Sequence, residues 1–205
     1  MPEQFDLLPA NLAKSSPYTI YIAGLLVSII TGNPLGAIFT LCTIIFGGCL
    51  NFLFKLLFIS IDPTKKSWMR PNPPAHGCGS FTLRGAKNGV SQPSVANQPS
   101  GASQPSGASQ PSGEEMWGMP SGHAQIVSFA SMFWLLYLWR RSRATTLWAL
   151  LSTIIIVILM VYIMYSRIAE GCHNLEQVLV GGLFGSILAM ICYFILERNK
   201  PELFD

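Results

Sequence analysis

The chain has 205 residues, half of them hydrophobic and only 11% charged, with a mean hydropathy of +0.42. That is too apolar and too sparsely charged for an ordinary soluble domain, and it reads as one polytopic membrane domain. The net charge of +3 is scattered rather than gathered into a basic stripe, which excludes a nucleic-acid partner.

Residues 1–15 form an N-terminal segment in which Glu3 and Asp6 precede the first apolar run. A basic n-region and a small-residue cleavage site are both missing, which argues against a removable signal peptide. A helix needs roughly 17 to 25 apolar residues to cross about 30 Å of hydrocarbon. Such windows fall at 16–32, 34–58, 122–139, 145–165 and 174–196. The expected fold is an all-α, polytopic membrane bundle of about five transmembrane helices.

Residues 16–60 read as a transmembrane hairpin broken at Gly32-Asn33-Pro34, where Gly and Asn suit a turn and Pro the first turn of the next helix. Residues 61–121 are a polar loop, and within 91–113 a six-residue Gln-Pro-Ser-Gly period recurs. Such a tract buries too little surface to offset its conformational entropy and is expected to be a disordered spacer. Residues 122–198 give a three-helix catalytic membrane core, followed by a tail at 199–205. In that core the run Phe133 to Trp139 reads as an interfacial aromatic belt, and Trp68 and Trp117 as headgroup-level side chains. Gly181, Gly182 and Gly185 predict close helix packing.

Five cysteines form no CxxC pair or zinc pattern. Cys42, Cys49 and Cys192 lie in apolar segments as small fillers. Cys78 and Cys172 lie in polar loops, where free thiols are the default and a disulfide becomes open to them in an oxidising compartment. His76 reads as an exposed loop histidine with no second ligand at metal spacing.

The other two histidines differ. His123 closes Gly118-Met119-Pro120-Ser121-Gly122-His123, and His173 closes Ser166-Arg167-Ile168-Ala169-Glu170-Gly171-Cys172-His173. Each stands where a polar loop meets a span, with polar or cationic company to satisfy an imidazole beside hydrocarbon. Ser121 occupies the N-cap position of the third span, and backbone N–H groups at a helix start cradle phosphate.

Arg70-Pro71 after the second span, Pro120-Ser121-Gly122-His123 at the third, and Ser166-Arg167 with His173 between the last two resemble three signature blocks. They are those of the type 2 phosphatidic-acid phosphatase superfamily, a helical fold shared with vanadium haloperoxidases. Gly118 to Gln125, with His173 followed by Gln177-Val178-Leu179 and Gly181-Gly182, is most similar to dolichyldiphosphatases. The resemblance implies a phosphoryl transfer free of metal and cofactor, on a membrane lipid substrate. In it His173 attacks phosphorus and is carried as phosphohistidine, while His123 protonates the leaving oxygen and then activates water. Arg70, Arg167 and a lysine would neutralise the equatorial oxygens, with Ser121 and the N–H groups near Gly122 completing the cradle.

Two positions depart from the superfamily pattern. The lysine is not at the usual spacing before Arg70: Lys55, which follows Asn51 as in the Asn-x-x-x-Lys of dolichyldiphosphatases, is the first candidate and Lys66 the second. Gln177 stands where most members have aspartate; four residues after His173 on one helix face, it would fix the tautomer without adding charge. Glu176 is an electrostatic alternative.

If the last four spans each cross once, the loops holding Arg70, Ser121 to His123 and Arg167 to His173 open on one side. Arg140, Arg141, Arg143, Arg198 and Lys200 then lie on the other, which the positive-inside bias makes cytosolic. The site would face the lumen, of the endoplasmic reticulum in a eukaryote, or the exterior. Three function classes follow: a polyprenyl diphosphatase or, second, a phosphatidate or lysophospholipid phosphate phosphatase; a catalytically silent lipid binder; and a structural membrane protein whose repeat loop recruits a partner. The sequence leaves oligomeric state open.

Overall fold

The computed structural model describes residues 3–62, 64–71, 117–140 and 145–204, with side chains from Lys14 onward. The repeat tract, His76, Cys78, Arg141 and Arg143 lie outside the described residues. Five long helices run in order: α1 Glu3–Thr31, α2 Leu35–Ile61, α3 Gly122–Arg140, α4 Thr146–Ala169 and α5 Leu175–Asn199. Short 3₁₀ turns follow α2 at Lys66–Trp68 and α5 at Pro201–Phe204. Among the described residues, α2, α4 and α5 are long and apolar enough to cross a membrane.

α1 begins well before residue 16, where the first span was expected to start. Ser15-Ser16-Pro17 has the composition of a helix start, because Pro is favoured at the first helical position. The helix nevertheless continues through it, and Ser16 and Pro17 are buried in the bundle. At the other end the turn forms as expected. Gly32 takes a positive φ of 69°, and Asn33 Oδ1 accepts from Leu35 N at 2.8 Å. α1 and α2 pack at backbone distance, since a Cβ on Gly36 would run into the Gly24 carbonyl.

α3 carries His, Gln and Ser residues that a lipid-facing helix would not tolerate, and it is the buried centre of the bundle, with His123 to Ser131 and Phe133 enclosed. The seam with α5 is made by Gly181, Gly185 and Ala189, four residues apart and on one face. A Cβ on Gly181 would strike the Ser121 backbone, and one on Gly185 the Gln125 carbonyl. α4 is peripheral: Ala149, Ser166 and Arg167 are its buried residues, and Ile154, Ile155, Ile158 and Val161 face outward.

The aromatic run on α3 is not a belt at the interface throughout. Phe133 is fully buried, 5.2 Å from the Phe39 ring and 5.5 Å from that of Tyr193, and only Trp139 and Arg140 at the helix end are exposed. Trp68 and Trp117 are also buried, in a small core with Met119 that supports the polar end of the bundle. The Trp68 ring meets Phe58 edge-on at 4.9 Å.

Candidate active site

The polar site is assembled from helix ends and the two loops that join them. The backbone of the turn after α2 pairs with that before α3 through an isolated bridge between Met69 and Trp117 and a bond from Gly118 N to the Trp68 carbonyl at 2.9 Å. This places Arg70 beside the start of α3. A cis peptide joins Met119 to Pro120, after which Ser121, fully buried, opens the helix. Ser121 Oγ lies 3.5 Å from Ala124 N, and Ser121 N donates to the Gln177 carbonyl at 3.0 Å. Gly122 and His123 are therefore the first residues of the helix, where backbone N–H groups have no intrahelical partner.

Asn51 locks α2 to this corner. Its Nδ2 donates to Gln125 Oε1 at 2.8 Å and to the Pro120 carbonyl at 3.3 Å. Gln125 Nε2 in turn donates to the Phe46 carbonyl at 2.6 Å, inside the π-helical stretch Thr43–Cys49 of α2. Lys55 lies one turn beyond Asn51, and its charge acts on both imidazoles. Lys66 is exposed on the turn and is not among the charges acting on either imidazole. Of the two lysine candidates, Lys55 is the one whose charge reaches the imidazoles.

His173 is 3% exposed, and its Nδ1 lies 3.0 Å from Gln177 Oε1. The direction of that bond is fixed by the rest of the amide. Gln177 Nε2 donates to the Met69 carbonyl at 2.7 Å and to the Ser67 carbonyl at 3.0 Å. Its NH₂ group is fully used, so Oε1 must face the imidazole as acceptor. Nδ1 therefore carries the ring proton and Nε2 keeps its lone pair. Gly118 leaves room for this arrangement, because any side chain there would collide with the Gln177 amide. Asn174 caps α5 by accepting from Gln177 N at 2.9 Å and donates to the Ser67 carbonyl at 2.7 Å. Glu176 is exposed and is not among the charges acting on His173.

Burial holds the His173 imidazole well below its usual range, at about 3, with the positive charges of Arg70 and Lys55 adding to the effect against the Gln177 bond. The ring is neutral at physiological pH. His123, 2% exposed, feels the charges of Arg167, Arg70 and Lys55, and its Nε2 donates to the Lys14 carbonyl at 3.3 Å. The two histidines also interact electrostatically with each other.

Arg167 is completely enclosed at the end of α4. Its Nη2 donates to Glu170 Oε1 at 2.8 Å and its Nε to Ser166 Oγ at 3.3 Å. Nη1 is buried with no hydrogen-bond partner among the described residues, a costly state that an anion's oxygen would relieve. Cys172 and His173 both donate backbone N–H groups to the Arg167 carbonyl at 3.1 Å, and Gly171 turns the chain with φ 67°. Cys172 is disulfide-bonded, contrary to the free thiol expected of it; Cys42, Cys49 and Cys192 are free.

Glu170 was not singled out from sequence, although an acidic residue three positions after a helical arginine is a recognisable pairing signal. Lys14 gave no signal at all, because only the packing of α1 brings it here. Among the described residues, no three His, Cys, Asp or Glu side chains are grouped so as to hold a metal ion.

A model of the PAP2 superfamily matches residues 36–201. The chain is similar to dolichyldiphosphatase 1 of Mus musculus, at 30% identity over 95 residues, 43% of this chain and 40% of that protein. The Homo sapiens protein of the same name is 28% identical over the same shares. Lipid phosphate phosphatase epsilon 1, chloroplastic, of Arabidopsis thaliana is 33% identical over 90 residues, 43% of this chain and 31% of that protein. The match thus spans less than half the length of these relatives. No solved structure matches the chain.

Proposed function

The chain belongs to the PAP2 superfamily, and we propose that it is an integral membrane phosphatase that hydrolyses a polyprenyl diphosphate of the dolichyl type by way of a phosphohistidine. The observation that carries this reading is the amide of Gln177. With its NH₂ group spent on two carbonyls, it accepts the hydrogen bond from His173 Nδ1 and so turns the Nε2 lone pair of a ring kept neutral by burial toward attack.

The terminal phosphate would sit among Arg70, Arg167 and Lys55, with Arg167 Nη1, Ser121 and the N–H groups at Gly122 completing its oxygen contacts. His173 Nε2 forms a bond to phosphorus as the bond to the leaving oxygen breaks, and His123, carrying a proton once the anionic substrate offsets the surrounding cations, gives that oxygen its proton. Neutral His123 then takes a proton from water, whose oxygen displaces His173 and releases inorganic phosphate. No metal or cofactor enters these steps. Positive charge fixed in place before the reaction supplies what stabilises the developing anion.

Similarity to proteins named dolichyldiphosphatase supports the diphosphate substrate. Similarity to a lipid phosphate phosphatase supports a second reading, hydrolysis of a phosphatidate or lysophospholipid monoester by the same residues. Turnover of polyprenyl diphosphate and phosphatidate by the purified protein, in detergent with EDTA, separates the two. We expect the diphosphate to be preferred and both activities to disappear in His173→Ala. Equal activity of that variant would end the proposal. The site would open to the lumen or exterior, a placement supported by the disulfide at Cys172 in its loop, since disulfides persist in oxidising compartments.

A further inference from the structure

We propose that Lys14 on α1, outside the stretch that matches the family, binds the leaving-group phosphate and makes the site selective for a diphosphate over a monophosphate. The inference rests on the reading of the site as a lipid phosphatase.

Three contacts carry it. The Lys14 carbonyl accepts from His123 Nε2 at 3.3 Å. The Lys14 ammonium lies 3.9 Å from Glu170 Oε2, and the other oxygen of Glu170 holds Arg167 at 2.8 Å. Lys14 therefore meets the proposed general acid through its backbone carbonyl and, through its ammonium, the Glu170 that holds the phosphate-binding arginine. Whatever sits beside the general acid sits beside the leaving group. For a polyprenyl diphosphate the leaving group is itself a phosphate, which carries negative charge that Arg70, Arg167 and Lys55, turned on the terminal phosphate, do not meet. For a phosphatidate it is an alcohol and needs no cation.

The state of the lysine fits that task. Its side chain is 39% exposed while that of Arg167 is fully enclosed, so it lies at the solvent side of the Glu170–Arg167 pair. At 3.9 Å the pair with Glu170 is long, and a half-exposed pair of this kind contributes little. Lys14 can exchange it for a phosphate oxygen while Glu170 keeps Arg167 in place. Other described cations at this end are engaged differently: Lys65 lies 4.4 Å over the Trp68 ring, and Lys66 is exposed on the turn.

The test is kcat/KM of wild type, Lys14→Met and Lys14→Arg for a polyprenyl diphosphate and for the matching polyprenyl monophosphate. We expect Lys14→Met to lose about tenfold or more on the diphosphate beyond whatever it loses on the monophosphate, and Lys14→Arg to restore most of the difference. Equal losses on the two substrates, or no loss on the diphosphate, would overturn the role of Lys14 while leaving the phosphatase reading intact. A wild-type protein inactive on both would overturn that reading and this inference with it.

Discussion

Gln177 shows how a single amide sets the chemistry of its neighbour. Replacing it by Leu removes the acceptor for His173 Nδ1 and strands the Met69 carbonyl, while the Ser67 carbonyl keeps its bond from Asn174. Each buried group left unpaired costs about 1–3 kcal/mol. Gln177→Leu is therefore expected to lower thermal stability in detergent and to reduce kcat more than it raises KM; an unchanged melting temperature would contradict the network. The His173 ring gives a pH prediction of definite sign. Its value is about 3 in the folded protein against 6.5 for a free imidazole, so between those limits the unfolded chain binds the extra proton. Stability should fall as pH drops from about 6.5 toward 3 and be insensitive to this group above that range. Melting curves of wild type and His173→Gln check it, the variant showing the shallower decline. Sequence motifs picked out His123, His173, Arg70, Arg167 and Ser121, and the structure brings them to one end of the bundle. Glu170 was legible as a partner three residues after Arg167 but was not singled out, whereas Lys14 and the orientation of the Gln177 amide were not legible, because each depends on backbone carbonyls or side chains distant in sequence.

At the level of elements, the seam between α3 and α5 decides whether those residues meet. Gly185 allows backbone contact with Gln125, and Gln125 holds Asn51 and the Phe46 carbonyl. Gly185→Leu should force the helices apart, costing about 1–3 kcal/mol from overpacking and most of the activity, although residue 185 touches neither histidine. Retained activity with unchanged stability would show that the seam is looser than described. Helices α2 to α5 were readable as apolar windows to within a few residues at most ends, and of these α2, α4 and α5 have the length and apolarity that a bilayer demands. The start of α1 was not, because packing carries the helix through Pro17. Nor was the burial of Phe133 and Trp68, since aromatic composition alone does not separate a bundle core from an interface.

Across the whole molecule, polar function is confined to one end. Arg140 pairs with Glu197 at 3.1 Å at the far end of α3 and α5, away from the histidines. With the site facing outward, a cysteine at Lys66 should react with an impermeant maleimide added outside sealed cells or right-side-out vesicles, and one at Arg198 only after permeabilisation. The reverse pattern would invert the proposed topology. The proposed chemistry passes through phosphorus bonded to His173. The most direct measurement is rapid alkaline quench of the protein turning over a polyprenyl diphosphate labelled in its terminal phosphate, followed by peptide mass spectrometry. The account predicts label on His173 and none in His173→Ala, which should also fail to hydrolyse the lipid; full hydrolysis by that variant, or label on another residue, would contradict it.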